Sequence, residues 1–336
     1  MAVHILEEAQ RCLNCKVPQC QKGCPIHTPI PKVIRLMLDG KLDEAGWMLF
    51  ENNPLTTVCS LVCNHENQCE GHCVLGRKGA PVHFSSIESY ISTTYSNKMV
   101  KGPAPSNGIR VAIIGSGPAG LTIAVVLARK GYQVTIFESK DKIGGVLRYG
   151  IPDYRLPQDK LDADIDFILS TGIEVHTGVS IGRDISFAEI ENQYDAVYIS
   201  IGAHNDKKIG IPGEDAVGVH SAVQLLRDIG EGRVPDFKGK RVCVIGGGNV
   251  SMDATRTAIR LGASAVTCVY RRRVTDMTAL AEEIEEAQSE GCQILSLQAP
   301  DHIETDETGR VTALWTRPQV IGAYGKDGRP RPYDAD

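Results

Sequence analysis

The sequence predicts an α/β protein in which a small all-α, cysteine-rich domain precedes two Rossmann-like dinucleotide-binding domains. Eight of the eleven cysteines lie within the first 73 residues, so they belong to one small domain. Two later segments share a pattern of strand, glycine-rich turn, helix and strand. The length of 336 residues suits two to three domains. We expect domains at 1–100, 109–236 and 237–336.

Composition excludes several classes of protein. Hydrophobic residues make up 42% and charged residues 23%, which excludes a mostly disordered chain. The net charge of −5, with no long run of like charge, gives no electrostatic case for nucleic acid or an anionic membrane. Residues 111–128 are uncharged, but glycines and a proline divide them into a short strand and a short helix. The N-terminus lacks the features of a secretory signal, so we expect a soluble, cytoplasmic protein.

The first hundred residues contain helical patterns. Apolar residues repeat at helical spacing over 33–38 and again over 42–49, with a break at Gly40. Asn53 and Pro54 should end the second of these helices. Residues 101–108, rich in Pro and Gly, predict a linker between this region and the next domain.

Beyond the linker, one β-α-β unit occurs twice. The first copy runs from the strand at 110–114 to Glu138, and the second from the strand at 241–245 to Tyr270. Each copy predicts a parallel sheet that binds a dinucleotide. The strand-like run at 196–201 should complete the first sheet.

The first glycine-rich turn is Gly115-Ser-Gly117-Pro118-Ala119-Gly120. In such a turn the first Gly allows the tight bend, the second allows a pyrophosphate to approach the helix N-terminus, and the third allows helix and strand to pack closely. Glu138, at the end of the second strand, would accept hydrogen bonds from a ribose hydroxyl. The alternative is a β-α-β unit whose glycines serve packing alone.

The second turn reads Gly246-Gly-Gly248-Asn249-Val250-Ser251, with Ser in place of the third Gly. The strand after it ends at Arg271 and Arg272 rather than at an acid. A guanidinium pairs with a 2′-phosphate, whereas a carboxylate repels one. The first turn should therefore bind a nucleotide with a free ribose, such as FAD, and the second should bind NADP(H). The alternative for the arginines is a solvated loop.

The cysteines form two runs of four, C-x2-C-x4-C-x3-C-P at 12–25 and C-x3-C-x5-C-x3-C at 59–73. Zinc sites usually pair two C-x2-C units, and only one is present. A close-set run ending in Cys-Pro is similar to iron–sulfur ligation, and soft thiolates suit such clusters. Zinc is the alternative.

Together these motifs resemble the small (beta) subunit of NADPH-dependent glutamate synthase. The resemblance extends equally to the N-terminal half of dihydropyrimidine dehydrogenase and to the NADP-binding subunit of ferredoxin-dependent transhydrogenases. It covers nearly the whole chain. The motifs that carry it are the two cysteine runs, GSGPAG, GGVLRYGIPDYRLP at 144–157, and GGGNVSMD followed by VYRRR.

The resemblance implies a glutathione-reductase-like pair of nucleotide domains and two [4Fe–4S] clusters. One cluster would be bound by Cys12, Cys15, Cys20 and Cys73. The other would be bound by Cys24, Cys63, Cys69 and Glu88. Cys59 would be a spare thiol. The resemblance also implies FAD contacts at Gly144, Gly145, Leu147, Arg155 and Gly202.

The sequence departs from the family at two places. Thr278 stands where the family usually has Pro, which puts only a local turn in doubt. No Gly-Asp follows Tyr270, although the family completes its FAD domain there. We therefore expect a C-terminally incomplete FAD-binding fold with weak FAD binding and little NADPH oxidation.

The resemblance implies an electron-input enzyme that oxidises NADPH through FAD. Single electrons would pass through the clusters to a partner subunit, the glutamate synthase large subunit or its equivalent, or to ferredoxin. The alternatives are an NAD(P)H-oxidising subunit of dihydropyrimidine dehydrogenase, a ferredoxin–NADP transhydrogenase, and a non-enzymatic zinc-stabilised nucleotide-binding scaffold. No side chain is predicted as an acid or base, because the chemistry belongs to the cofactors.

Overall fold

The computed structural model of the chain describes residues 4–96, 102–326 and 328–335. Contacts divide the chain into two compact units, residues 1–202 and residues 203–336. Lys101 of the predicted linker and the ends of the first and third predicted domains lie outside the described residues. The three-domain division stays a prediction.

The first unit begins with a group of short helices. They are α1 (Ile5–Gln10), α2 (Gln19–Gly23), α3 (Ile30–Leu38), α4 (Leu42–Asn52), α5 (Thr56–Val62) and α6 (Phe84–Ser96), with 3-10 turns at His65–Asn67 and Val74–Arg77. The predicted helices at 33–38 and 42–49 fall in α3 and α4, and Gly40 between them has a φ of +73°. Their apolar faces form a core with α6, around Ile34, Leu49 and Ile87.

A parallel sheet follows in the same unit. Its elements are β1 (Arg110–Ile114), α7 (Pro118–Ala128), β2 (Gln133–Phe137), α8 (Val146–Tyr149), α9 (Gln158–Leu169), β3 (Glu174–His176), α10 (Phe187–Gln193) and β4 (Ala196–Ile199). The strand order is β3-β2-β1-β4. Val111 pairs with Val134 of β2 on one side and with Ala196 of β4 on the other. The predicted strand at 196–201 therefore does join the first sheet.

Burial across this sheet is uneven. Strands β1 and β2 are buried along all but their first residue, as expected for apolar strands covered on both faces. Strand β4 lies at one edge and is more exposed, with 57% of Ile199 accessible to solvent.

The second unit contains the second β-α-β copy. Its elements are α11 (Ala222–Gly230), β5 (Arg241–Ile245), α12 (Asn249–Arg260), β6 (Ala265–Tyr270), α13 (Ala281–Ser289) and β7 (Gln293–Ser296), with a 3-10 turn at Val274–Asp276. Strands β5, β6 and β7 pair in parallel in that order. Arg256 of α12 is buried and forms ion pairs with Glu283 and Glu290.

An antiparallel sheet completes the second unit. It consists of β8 (Gln298–Thr305), β9 (Val311–Tyr324) and β10 (Pro330–Asp334) in the order β10-β9-β8. Sequence patterns did not predict these strands. Among residues 4–96, 102–326 and 328–335, no helix is both long and apolar enough to cross a membrane.

Candidate cofactor sites

The first glycine-rich turn connects β1 to α7, and its three glycines differ in their surroundings. Gly115 has a φ of +101°, and a Cβ there would lie 2.5 Å from the Ser200 carbonyl oxygen. A Cβ on Gly120 would overlap the carbonyl oxygen of Gly115. Packing therefore explains both of these glycines. A Cβ on Gly117 would meet nothing within 4 Å, which leaves open space at the N-terminus of α7. Pro118 and Ala119 form the first residues of that helix.

Open space at a helix N-terminus suits an anionic group, because backbone N–H groups and the helix dipole point toward it. Packing alone would not require glycine at 117, so this position favours the nucleotide interpretation over the packing alternative.

Glu138 lies beneath the first turn, buried at the end of β2. One carboxylate oxygen accepts hydrogen bonds from the Ser116 backbone N–H at 3.0 Å and from its hydroxyl at 2.5 Å. The other accepts from the Lys140 backbone N–H at 2.8 Å and from the Ser139 hydroxyl at 3.2 Å. The carboxylate therefore fixes the turn and the strand end, and a ribose hydroxyl would add to these bonds.

The segment after β2 packs against the first turn. Gly144 donates its N–H to the Ser116 carbonyl at 3.1 Å, and a Cβ on Gly145 would lie 2.7 Å from the Gly117 Cα. Both glycines have positive φ, +128° and +55°. The predicted FAD residues Gly117, Gly144 and Gly145 are thus brought together by the fold.

The other residues predicted to contact FAD have different environments. The Leu147 side chain is buried in the core of the unit, so any contact with a cofactor would use its main-chain atoms. Arg155 is half-buried. Gly202 is exposed, with a φ of +74°, just after β4.

Sequence reasoning missed Arg148, which holds this segment in place. Its guanidinium is buried and donates to the Ile143 carbonyl at 2.6 Å and to the Gln158 side chain at 2.7 Å. It also pairs with Asp162 of α9. The sequence does contain a signal for this role, because Arg148 is a charged residue between the apolar residues of Val146–Tyr149.

The second turn connects β5 to α12. Gly246 has a φ of +138°, and a Cβ there would overlap the Ser251 hydroxyl. The Gly247 carbonyl accepts hydrogen bonds from the backbone N–H groups of Thr278 at 2.9 Å and Ala279 at 3.0 Å. The fold therefore accommodates Thr278 beside this turn.

The remaining predicted residues of the second turn begin α12. Gly248 is the N-cap, and a Cβ there would lie 3.5 Å from the Thr278 hydroxyl. The Asn249 side chain accepts the Leu280 backbone N–H at 2.9 Å. Val250 is exposed, with 45% of its surface accessible.

The three arginines after β6 have three different environments. Arg271 is exposed. Arg272 is only 6% exposed, and its Nε donates to the Pro330 carbonyl of β10 at 2.7 Å. Arg273 pairs with Asp276 through two bonds of 2.8 and 2.9 Å. The burial of Arg272 disagrees with its predicted role at a 2′-phosphate, whereas Arg271 is accessible for that role.

Cysteines of the first predicted cluster line one small cavity. Cys12, Cys15, Cys20 and Cys73 all border it, together with Cys69 and apolar side chains that include Ile34 and Phe84. Burial raises the pKa of Cys20 to about 11, and the neighbouring thiols of Cys12, Cys73 and Cys15 add to the rise.

Cysteines of the second predicted cluster are also close to one another. Burial raises the pKa of Cys63 to about 11, and Glu88 and Cys24 contribute further. Burial likewise raises the pKa of Cys69, with contributions from Glu88 and Cys63. Glu88 is only 5% exposed and accepts the Thr56 hydroxyl at 2.8 Å.

Cys59 lies on α5, apart from the first cavity. Burial raises its pKa to about 12, and the Glu88 carboxylate contributes to the rise. The thiol is therefore close to the second set of predicted ligands.

The donor set fits iron–sulfur clusters. Buried thiols with raised pKa values lie where thiolates are unstable unless positive charge is present, and bound iron supplies that charge. Across the described residues, no three His, Cys, Asp or Glu side chains converge on one point closely enough to hold a single metal ion.

A second feature missed at the sequence level ties the helical region to the first sheet. Asp164 of α9 is buried, and its carboxylate accepts the Val58 backbone N–H of α5 at 3.0 Å. Burial raises the pKa of Asp164 to about 7. Nearby, the rings of Phe50 and Phe167 lie 4.1 Å apart between centroids. Asp164 is one of four aspartates in α9, and nothing in the sequence distinguishes it as the one that makes this contact.

Two family models match the chain. Residues 2–100 match the 4Fe–4S domain described as domain II of dihydropyrimidine dehydrogenase. Residues 109–323 match the pyridine nucleotide-disulphide oxidoreductase family.

Curated relatives match across nearly the whole chain. It is 37% identical to UacF of Escherichia coli over 97% of this chain and 53% of that protein. It is 35% identical to the small chain of Escherichia coli glutamate synthase [NADPH], over 96% of this chain and 71% of that protein. The chain thus spans about half the length of the first relative and somewhat more than two thirds of the second.

Among solved structures, FprA from Mycobacterium tuberculosis in complex with NADPH is similar with a TM-score of 0.58 and 21% identity. The match covers 69% of this chain and 67% of FprA, and it supports the fold alone. The predicted α/β fold, a 4Fe–4S domain followed by a nucleotide-binding oxidoreductase region, is confirmed. The chain belongs to the pyridine nucleotide-disulphide oxidoreductase family, within the group that joins this region to an N-terminal 4Fe–4S domain and includes the small chain of NADPH-dependent glutamate synthase.

Proposed function

We propose that the chain is an electron-input component that oxidises NADPH and delivers single electrons to a partner, in the manner of a glutamate synthase small subunit. When bound, FAD would supply a hydride acceptor for NADPH, and [4Fe–4S] clusters would supply single-electron transfer. The observation that carries the proposal is the contact of α5 with α9 through Val58 and Asp164. The two cysteine sets and the first glycine-rich turn lie in one compact unit, to which this contact contributes.

The chain's own residues would bind and orient these groups. The open N-terminus of α7 at Gly117 would receive the FAD pyrophosphate, with Glu138 fixing the turn from below. The second turn at Gly248 would receive the NADPH pyrophosphate, and Arg271 would pair with its 2′-phosphate. No side chain needs to act as an acid or base.

The ligand partition remains part of the proposal. Each of two [4Fe–4S] clusters would take four ligands, and Cys59 would take none. The ligands of the first are Cys12, Cys15, Cys20 and Cys73; those of the second are Cys24, Cys63, Cys69 and Glu88. The cavity that all four thiols of the first set border, together with Cys69, supports the first set, and the mutual influence of Cys24, Cys63 and Glu88 supports the second.

The identity of the partner rests on the relatives. The glutamate synthase small chain is by its name one part of a larger enzyme, which supports a large subunit as partner. The match of residues 2–100 to a dihydropyrimidine dehydrogenase domain favours a second candidate, the NAD(P)H-oxidising part of such an enzyme. Reconstitution with each class of partner separates them, since only the correct one yields product at the expense of NADPH.

Metal content tests the proposal directly. Protein purified without oxygen should carry about eight irons and about eight labile sulfides, with the broad visible absorption of clusters. Zinc in stoichiometric amount with negligible iron would instead support a zinc-stabilised scaffold and overturn the electron-transfer function.

A pair of cysteine variants tests the ligand partition. Cys20→Ala should lose about four irons, whereas Cys59→Ala should keep the full complement. Both thiols are partly buried. Equal losses would refute the partition without affecting the broader function.

A further inference from the structure

Two of the chain segments that border the first cysteine cavity carry basic residues and no acid. Residues 12–35 contain Lys16, Lys22, Lys32 and Arg35 and no acid, and residues 73–78 contain Arg77 and Lys78 and no acid. We propose that this face, the basic face, is the docking surface for an acidic protein that carries one electron. The inference rests on the proposed function and adds the location and charge of the exit site.

All six basic side chains are exposed. Within the part of the chain that the structure describes, none of them forms an ion pair, in contrast to Lys41, which pairs with Glu44 at 3.2 Å. Unpaired cations concentrated in a chain of net charge −5 favour an interaction with an anionic partner.

Several of the basic residues lie next in sequence to residues that line the cavity of the first cysteine set. Lys16 follows Cys15 directly, and Arg77 ends the short 3-10 turn that begins after Cys73. Lys32 and Arg35 of α3 directly follow Pro31 and Ile34, which line the cavity. The cations therefore border the predicted cluster that lies at the cavity.

The basic face also presents exposed apolar side chains. Leu13 is 61% exposed and Val17 is 57% exposed, and they stand on either side of Cys15. Exposed apolar side chains together with charged ones are the usual composition of a protein–protein interface.

A protein suits this surface better than nucleic acid. Proteins that bind single strands use aromatic side chains as stacking platforms, and residues 12–35 and 73–78 contain no Phe, Trp or Tyr. Charge complementarity at the basic face would speed association with an acidic carrier and fix its orientation close to the cluster.

The electron count sets the class of carrier. One NADPH loses two electrons as hydride, becoming NADP⁺, and a one-electron carrier accepts them one at a time. Each NADPH therefore reduces two carrier molecules and releases one proton.

Binding of an acidic plant-type [2Fe–2S] ferredoxin to the iron-loaded chain tests the inference, by calorimetry at salt concentrations of about 0.01 M and about 1 M. Lys32→Glu and Arg77→Glu should each weaken binding about tenfold at low salt, and together more than either alone. At high salt the difference from the wild type should disappear. Lys207→Glu, an exposed and unpaired lysine of the second unit, is the matched control and should bind as the wild type does.

Three outcomes would overturn the inference: no binding of ferredoxin by the wild type, equal binding by the wild type and the double variant, or equal weakening by Lys207→Glu. Lys32→Gln and Arg77→Gln remove the charge without reversing it and so control for structural damage caused by the introduced glutamates. They should weaken ferredoxin binding less than the glutamate variants do. Iron content and the visible spectrum distinguish failure of this inference from failure of the proposed function. Protein without iron–sulfur clusters would contradict the proposed function, whereas protein that has its clusters but does not bind ferredoxin would contradict only the docking surface.

Discussion

The two glycine-rich turns have the same sequence pattern but depend on glycine for different reasons. In the first, a Cβ at the third position, Gly120, would overlap the Gly115 carbonyl oxygen. In the second, the equivalent position is Ser251, whose side chain occupies the space beside Gly246. The third position of the motif therefore requires glycine in the first copy and accepts serine in the second.

The ends of the second strands differ as well. Glu138 is buried, and both of its oxygens accept hydrogen bonds from the turn and the loop. Arg271 is exposed, and its neighbour Arg272 is buried against β10. The first strand end is thus held rigidly by the protein, whereas the second presents a free cation. The residue at the end of the second strand therefore gives two copies of one motif opposite charge at the same place.

Exchange of the third-position residues should have the largest effect. Gly120→Ser would force the Gly115 backbone to move, so we expect loss of folded protein or of bound FAD, with destabilisation of about 3 kcal/mol or more. Ser251→Gly should cost only about 1 kcal/mol, the cost of Gly in a helix, and should keep NADPH binding. Urea unfolding and FAD content measure both. Comparable effects of the two changes would remove the distinction between the turns.

Glu138→Gln tests the first strand end. The amide offers one oxygen where the carboxylate offers two, so one backbone N–H of Ser116 or Lys140 loses a charged acceptor. The ribose hydroxyl of FAD would also lose a charged acceptor, worth about 1.5–3 kcal/mol, which corresponds to roughly ten- to a hundredfold weaker FAD binding. Fluorescence titration with FAD measures this change in affinity. Coenzyme binding at the second turn should be unchanged, and a parallel loss there would contradict separate roles.

Arg271→Ala and Arg272→Ala test the second strand end. Removal of Arg271 should weaken NADPH binding about ten- to a hundredfold while leaving NADH binding nearly unchanged. Removal of Arg272 should lower the thermal stability of the protein instead, because its buried hydrogen bond to the Pro330 carbonyl is lost. If the two variants exchanged these phenotypes, Arg272 would be the phosphate ligand.

The pH dependence of stability tests the buried carboxyl group of the first unit. In the first unit, burial raises the pKa of Asp164 to about 7 from its ordinary value of 3.8. The stabilising contribution of the protonated carboxyl is therefore complete below a pH of 3.8. This contribution is lost as pH rises through the folded-state pKa. From about pH 6 to about pH 8 the first unit should therefore lose about 1.4 kcal/mol of stability.

Asp164→Asn should remove most of this pH dependence, as followed by thermal unfolding at several pH values. Asp166→Asn, an exposed residue of the same helix, is the control and should retain it. A wild-type protein whose unfolding temperature is constant between these pH values would contradict the raised pKa.

Much of the fold can be predicted from short-range pattern. Both β-α-β units, helices α3 and α4, and the strand at Ala196–Ile199 were predictable, because apolar periodicity and glycine spacing are local properties. The antiparallel strands β8, β9 and β10 were not, since β9 carries mixed polar and apolar residues without a glycine-rich turn to mark it.

The sequence by itself determined the chemical types at the site: eight clustered thiols, two glycine-rich turns, an acid after one and arginines after the other. Only the tertiary structure decided which of these groups are accessible. It buried Arg272 and left Arg271 free, and it joined Val58 to Asp164, 106 residues away. The physical reason is that residue type and spacing are properties of the chain, whereas burial and hydrogen-bond partners depend on which distant segments pack together.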